Sequence, residues 1–156
     1  MHLIDLLAPT RIVCGANITS KKRLLELLAT RLADGESPDV ERRIFDSLCC
    51  REKLGSTGLG HGVAIPHGRI AGLTAATGCF VRLTEPLAFD SVDAKPVDLI
   101  FALAVPEHFT NQHLMLLSQL AEMFSDADFC TRLRNTRECS ALYATLSDWQ
   151  LTHAAA

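Results

Sequence analysis

The chain has 156 residues, 48% of them hydrophobic and 21% charged, which is the size and make-up of one globular domain able to bury a core without staples. A formal net charge of −3 argues against nucleic-acid binding through a broad basic face. The longest apolar run, LIFALAV (99–105), is far short of the roughly 20 residues of a membrane span, and the N-terminus lacks the basic and apolar regions of a signal peptide. A cytoplasmic protein with no direct membrane insertion is expected.

In chain order, RIVCGA (11–16) predicts a short strand. SKKRLLELLATRLADG (20–35) predicts a helix: Ser20 caps it, Leu24, Leu25, Leu27, Leu28 and Leu32 recur at helical spacing, and Gly35 stops it. The NITS sequon just before it has no meaning as a glycosylation site without export. SPDVERRIFDSLCCREKLG (37–55) repeats the pattern, with Ser37 as cap, Pro38 in the first turn, Asp39 and Glu41 at the positive helix end and Gly55 just past the last turn. GVAIPHG (62–68) is extended, because Pro66 pushes Ile65 away from helical geometry. TGCFVRLT (77–84) reads as a strand, and the turn-rich EPLAFDSVDAKPVD leaves room for a brief one at Leu87–Phe89. VDLIFALAVP (97–106), apolar apart from Asp98 and ended by proline, reads as a central strand buried on both faces. Helices follow over 111–126, 126–135 and 137–146, and the tail THAAA is expected to fray. The order predicts a single α/β domain, 1–156, with a mixed sheet and helices on both faces.

Six cysteines, Cys14, Cys49, Cys50, Cys79, Cys130 and Cys139, show no CxxC spacing, and most sit among apolar neighbours. In a cytoplasmic setting they read as reduced thiols packed like small hydrophobes.

The unusual stretch is GSTGLGHGVAIPHGR (55–69), with five glycines and a histidine directly behind a proline. Gly55 and Gly60 have Walker A spacing, but His61 and Gly62 stand where lysine and a hydroxyl residue belong. A dinucleotide loop lacks its third glycine at residue 63, and no GxSxG is present. His108 and His113 are five apart rather than the four that align ligands on a helix, so no metal or other cofactor is expected. What remains is the imidazole of His67. With an ordinary pKa near 6.5 it is mostly neutral at cytoplasmic pH and is a competent nucleophile toward phosphorus. Gly68 would let the chain turn sharply beside it. Backbone amides around Gly58, the Ser56 and Thr57 hydroxyls and the Arg51 guanidinium are candidate donors for the resulting anion. The residues alone leave two readings open, a plain glycine-rich connection or a phosphoacceptor loop.

REKLGSTGLGHGVAIPHGR (51–69) resembles the active-site motif of the type-2 EIIA domains of the bacterial phosphotransferase system, the mannitol/fructose class, and within it the nitrogen-regulatory EIIA. SKKRLLELLA (20–29), FVRLTEPLAFDSVDAKPVDLIFALAVPE (80–107) and HLMLLSQLAEMFSD (113–126) are similar to the same family in the same order, so the likeness runs from about residue 4 to 146. The resemblance implies a mixed, mainly five-stranded sheet between helices. It implies a phosphocarrier whose His67 accepts a phosphoryl group, through Nε2, from a histidine phosphocarrier protein, with His113 and Arg51 completing the site. His113 falls at a helix N-terminus, where the dipole favours anions. His61 departs from the small or polar residue usual in this loop and reads, like His108, as an exposed side chain. An apolar surface including Val63 and Ile65 would shield the labile P–N bond. The nitrogen branch implies regulatory targets, such as kinases or potassium transport proteins, bound according to phosphorylation state, and a phosphohistidine intermediate rather than a stand-alone enzyme. Two alternatives remain: a sugar-specific EIIA passing phosphate to an EIIB domain, and a non-phosphorylated interaction module.

Overall fold

The computed structural model describes residues 2–153. After two short 3-10 turns (Leu3–Leu6 and Pro9–Arg11) come β1 (Ile12–Ala16), α1 (Lys21–Leu32), α2 (Pro38–Leu54), β2 (Gly58–Gly60), β3 (Val63–Ala64), β4 (His67–Ile70), β5 (Thr77–Leu87), β6 (Val97–Pro106), α3 (Asn111–Ser125), α4 (Ala127–Asn135) and α5 (Cys139–His153). No helix among these residues is long and apolar enough to cross a membrane.

The helix starts follow from their caps. Ser20 Oγ accepts from the Arg23 amide at 3.2 Å, Ser37 Oγ from Val40 at 3.3 Å, and the Asp126 carboxylate from Phe129 at 3.1 Å. The sheet runs β1-β5-β6-β3-β2, with β4 also paired to β6. β5 is antiparallel to β6; β1 is parallel to β5, and β3 and β4 are parallel to β6. The sheet is therefore mixed, as expected. β6 alternates between two cores. Leu99, Phe101, Leu103 and Val105 meet α3, α4 and α5 on one face, while Ile100, Ala102 and Ala104 meet α1 and α2 on the other.

The sheet has six strands where mainly five were expected, and the extra one comes from a divided lane. Val63 lies opposite Leu99 and His67 opposite Leu103, four residues on along both strands, so β3 and β4 share one register against β6. Pro66, with no N–H to give, marks the break, yet its carbonyl still accepts from the Leu103 amide at 2.9 Å. β2 pairs only with β3, so the outer edge of β4 has no strand beside it. β2 and β3 form a hairpin closed by His61 and Gly62, with φ of 57° and 82°, the two positive values a type I′ turn needs.

Other expectations are corrected. The brief strand at Leu87–Phe89 does not form: Leu87 ends β5, opposite Val97, and Phe89 is a fully buried loop residue. α5 runs past 146 to His153 because Trp149 adds a buried contact, so it enters the tail expected to fray; 154–156 lie outside the described residues. Two cysteines are not free. Cys14 on β1 and Cys139 at the start of α5 form a disulfide, their Cα atoms 5.7 Å apart. A separation of 125 residues gave no sign of that meeting. Cys79 and Cys130 are buried thiols, as expected, whereas Cys49 is half-buried and Cys50 is exposed.

Candidate functional site

His67 opens β4. The core-facing alternation of the lane explains its exposure. Val63, Ile65, His67 and Arg69 share one face of the sheet, and along it burial gives way stepwise: Val63 and Ile65 are buried, His67 is half-buried and Arg69 is exposed. Gly68 and Ile70 point the other way, toward α2. Gly68 is not at a turn, as the sequence suggested; a Cβ there would overlap the Ser47 hydroxyl of α2, so glycine permits close packing of β4 on that helix.

The His67 ring is fixed by its own chain. Nδ1 lies 2.8 Å from the carbonyl oxygen of Ile65. A carbonyl only accepts, so Nδ1 carries the proton and donates, and neutral His67 keeps its lone pair on Nε2. Burial is the main cause that holds its pKa below the ordinary imidazole value; the Ile65 bond opposes it, Arg51 adds to it and Glu52 opposes it. The ring therefore stays neutral at neutral pH.

His113, the third residue of α3, stands with its ring centroid 5.4 Å from that of His67, at an interplanar angle of 67°. Burial, then the charges of His67 and Arg69, lowers its pKa to about 4. Its Nε2 is buried with no hydrogen-bond partner in the protein among the described residues. Thr110 makes no side-chain cap at this helix start, which leaves first-turn amides pointing out of the helix end. Arg51, in the last turn of α2, donates from Nη1 to Gly55 O at 2.8 Å, which leaves most of its fork unused.

His67, His113 and Arg51 line one open cavity of about 890 Å³, together with Arg69 and Glu107. Leu54, 85% exposed, and Leu114, 66% exposed, supply its apolar rim; Val63 is in the core and takes no part in the surface expected of it, while the buried Ile65 lines only the smaller cavity beside His67. His67 and Arg51 also line a smaller cavity of about 260 Å³ with Ser56, Thr57 and Gly58. Those loop residues are structurally engaged. Ser56 Oγ donates to Phe89 O at 2.8 Å and accepts from the Gly58 amide at 3.1 Å. Thr57 is buried, and its hydroxyl donates to Glu52 at 2.6 Å. His61 is exposed, with its backbone held by the Asp93 carboxylate at 2.9 Å and Arg134 at 2.8 Å, and His108 sits outside the cavity against Phe109.

The sequence reading missed Glu52 and Lys21. The Glu52 carboxylate is buried, accepts from the Thr57 amide at 2.9 Å as well as from its hydroxyl, and pairs with Lys21 Nζ at 3.0 Å. Lys21 in turn lies 4.4 Å over the Phe89 ring. This network ties α1, the end of α2 and the 55–58 loop together beneath His67. One signal was available: an acid in the last turn of a helix opposes the dipole, so Glu52 needs another reason to be there. No group of three or more His, Cys, Asp or Glu side chains suited to a metal occurs among the described residues.

Residues 5–149 match the family described as "Phosphoenolpyruvate-dependent sugar phosphotransferase system, EIIA 2". The chain is 41% identical over 147 residues to a nitrogen regulatory protein of Bradyrhizobium diazoefficiens, covering 94% of this chain and 95% of that one. It is 43% identical over 151 residues to one from Pseudomonas aeruginosa, covering 96% and 97%. Among solved structures, the nitrogen regulatory protein IIA-Ntr of Neisseria meningitidis superimposes with a TM-score of 0.85 at 44% identity, covering 92% of this chain and 98% of that one.

Proposed function

The chain belongs to the EIIA type-2 family of the phosphoenolpyruvate-dependent sugar phosphotransferase system, and we propose that it is a phosphocarrier of the nitrogen branch that takes a phosphoryl group on Nε2 of His67. The observation that carries this reading is the clamp on Nδ1: with that proton held by Ile65 O, the free lone pair is on Nε2, in a ring that shares its cavity with His113 and Arg51.

The donor is a phosphohistidine on a carrier protein. As the Nε2–P bond forms, the donor's P–N bond breaks and its electron pair returns to the donor nitrogen; no proton moves. Such a transfer asks for in-line positioning and for charge placed around the phosphoryl oxygens. Arg51 supplies a guanidinium, and His113 Nε2 and the first turn of α3 supply donors. Ser56, Thr57 and Gly58 act as the scaffold that keeps the loop in shape, with their polar groups turned inward. Leu54 and Leu114 give a docking partner apolar surface around the reacting nitrogen.

The names of the relatives favour nitrogen regulation over sugar transport as the output. The protein works in the cytoplasm and binds regulatory targets, such as kinases or potassium transport proteins, according to its phosphorylation state. A phosphoryl group adds up to two negative charges to the half-apolar face, which weakens docking of any target that seats apolar side chains there. Phosphoenolpyruvate-driven labelling through purified donor proteins tests the site: wild type should take an acid-labile, base-stable label, and His67→Ala none. Equal labelling of the two would remove His67 from the role.

A further inference from the structure

Arg69 has no assigned part, yet it is placed as His67 is. The two residues lie on the same face of β4, about 6.6 Å apart along the strand, and line the same cavity. Several guanidiniums of the fold are tied to protein oxygens, among them Arg11 to Leu6 and Gly78 carbonyls, Arg31 to Thr10, Arg43 to Ala71, Arg82 to Leu133 and Thr136, and Arg134 to Asp98; Arg23 and Arg42, which are not, line cavities away from His67, whereas Arg69 lines the cavity of His67 and His113. The Arg69 guanidinium makes no hydrogen bond or ion pair with the described residues. Glu107 lines the same cavity but is not within ion-pair distance of it. The charge of Arg69 reaches His113, whose pKa it helps to lower. An exposed cation with five uncommitted N–H donors, beside two neutral imidazoles, is suited to a multiply charged oxyanion.

We infer that Arg69 is a second guanidinium for the transferred phosphoryl group, contacting its oxygens from the β4 side while Arg51 contacts them from the end of α2. The inference rests on the phosphocarrier reading of His67 and adds to it. As the donor's P–N bond breaks and Nε2–P forms, negative charge spreads over three phosphoryl oxygens, and a single arginine with one N–H already given to Gly55 O leaves part of it unmatched. Arg69 supplies the remainder from β4, beside His113 in the same cavity. Glu107 keeps a carboxylate near enough to repel an anion that is not held by both arginines.

The test uses phosphoramidate, a small P–N donor with no docking surface, so that partner recognition does not enter. Wild type, Arg69→Gln, Arg69→Lys and His67→Ala are labelled at neutral pH, and phosphohistidine is followed by 31P NMR at low and high salt. The expected result is label on His67 in wild type and none in His67→Ala. Arg69→Gln should be slower by about tenfold, less than the hundredfold or more of a buried oxyanion donor because Arg69 is exposed to solvent. Arg69→Lys should recover part of the rate, and salt should slow wild type more than Arg69→Gln. Unchanged melting of Arg69→Gln, expected for a side chain with no partners, would assign the loss to the phosphoryl group. Equal rates and equal salt dependence in wild type and Arg69→Gln, with His67→Ala silent, would overturn the role of Arg69 alone. Label appearing equally in His67→Ala would overturn the phosphocarrier reading and this inference with it.

Discussion

Two imidazoles at the cavity are kept neutral by burial, and this has a measurable consequence. Unfolded His113 takes up a proton below about pH 6.5, whereas the folded residue does so only near pH 4. Between those values the unfolded state binds more protons, so this residue makes stability fall as pH drops from about 6.5 toward 4. His113→Asn should flatten that part of the curve. Denaturant unfolding of both forms across the window checks it; an unchanged slope in the variant would contradict the burial of the ring. His67 shifts in the same direction, so its imidazole should titrate below the ordinary range in an NMR pH series. Under the role proposed for His67, a ring that is neutral at neutral pH presents its Nε2 lone pair without first losing a proton.

Among elements, the divided lane and the end of α2 set the site. α2 brings Arg51 to the cavity and Glu52 to the loop below it. Glu52→Ala leaves the buried Thr57 amide without its acceptor and takes the nearer carboxylate from Lys21, which keeps Asp90 at 3.6 Å and Phe89 O at 3.3 Å, and stranding a buried donor costs about 2 kcal/mol. Thermal or urea unfolding should show that loss, and phosphoryl uptake should fall too as the 55–58 loop loosens; a variant as stable as wild type would contradict the network. The sequence made the periodic parts legible. Leucine spacing and Ser37 located the first two helices, and the largely apolar run predicted β6 over the residues it occupies. The resemblance pointed to His67, His113 and Arg51, which line one cavity. What escaped notice depends on contacts distant in sequence or on an unusual turn. The β2–β3 hairpin is closed by His61–Gly62 rather than the Asn-Gly pair that announces such turns. Gly68 read as a bend because its reason, the approach of Ser47, lies on another element. Thr57 read as an outward donor because its acceptor, Glu52, was unknown.

Across the whole molecule, the Cys14–Cys139 disulfide ties the edge strand β1 to the final helix, while the His67 cavity lies at the lane on the other side of β6. Cross-linking residues 125 apart restricts the unfolded chain strongly, by up to about 5 kcal/mol on loop-closure entropy. Reductant should therefore lower the denaturation midpoint of wild type and leave Cys139→Ser unaffected, already at the reduced value. Phosphoryl uptake at His67 should be the same in both redox states, since neither cysteine lines its cavities. Identical melting of wild type with and without reductant would contradict a stabilising disulfide.

The central claim is that the backbone of Ile65, by holding Nδ1, chooses the nitrogen that receives phosphorus. The direct measurement is 15N and 31P NMR of the phosphorylated protein with labelled histidine. Phosphorus coupled to Nε2 of His67, with Nδ1 still protonated, is the predicted result. Phosphorus on Nδ1 of His67, or on another histidine while His67 stays unmodified, would contradict the account.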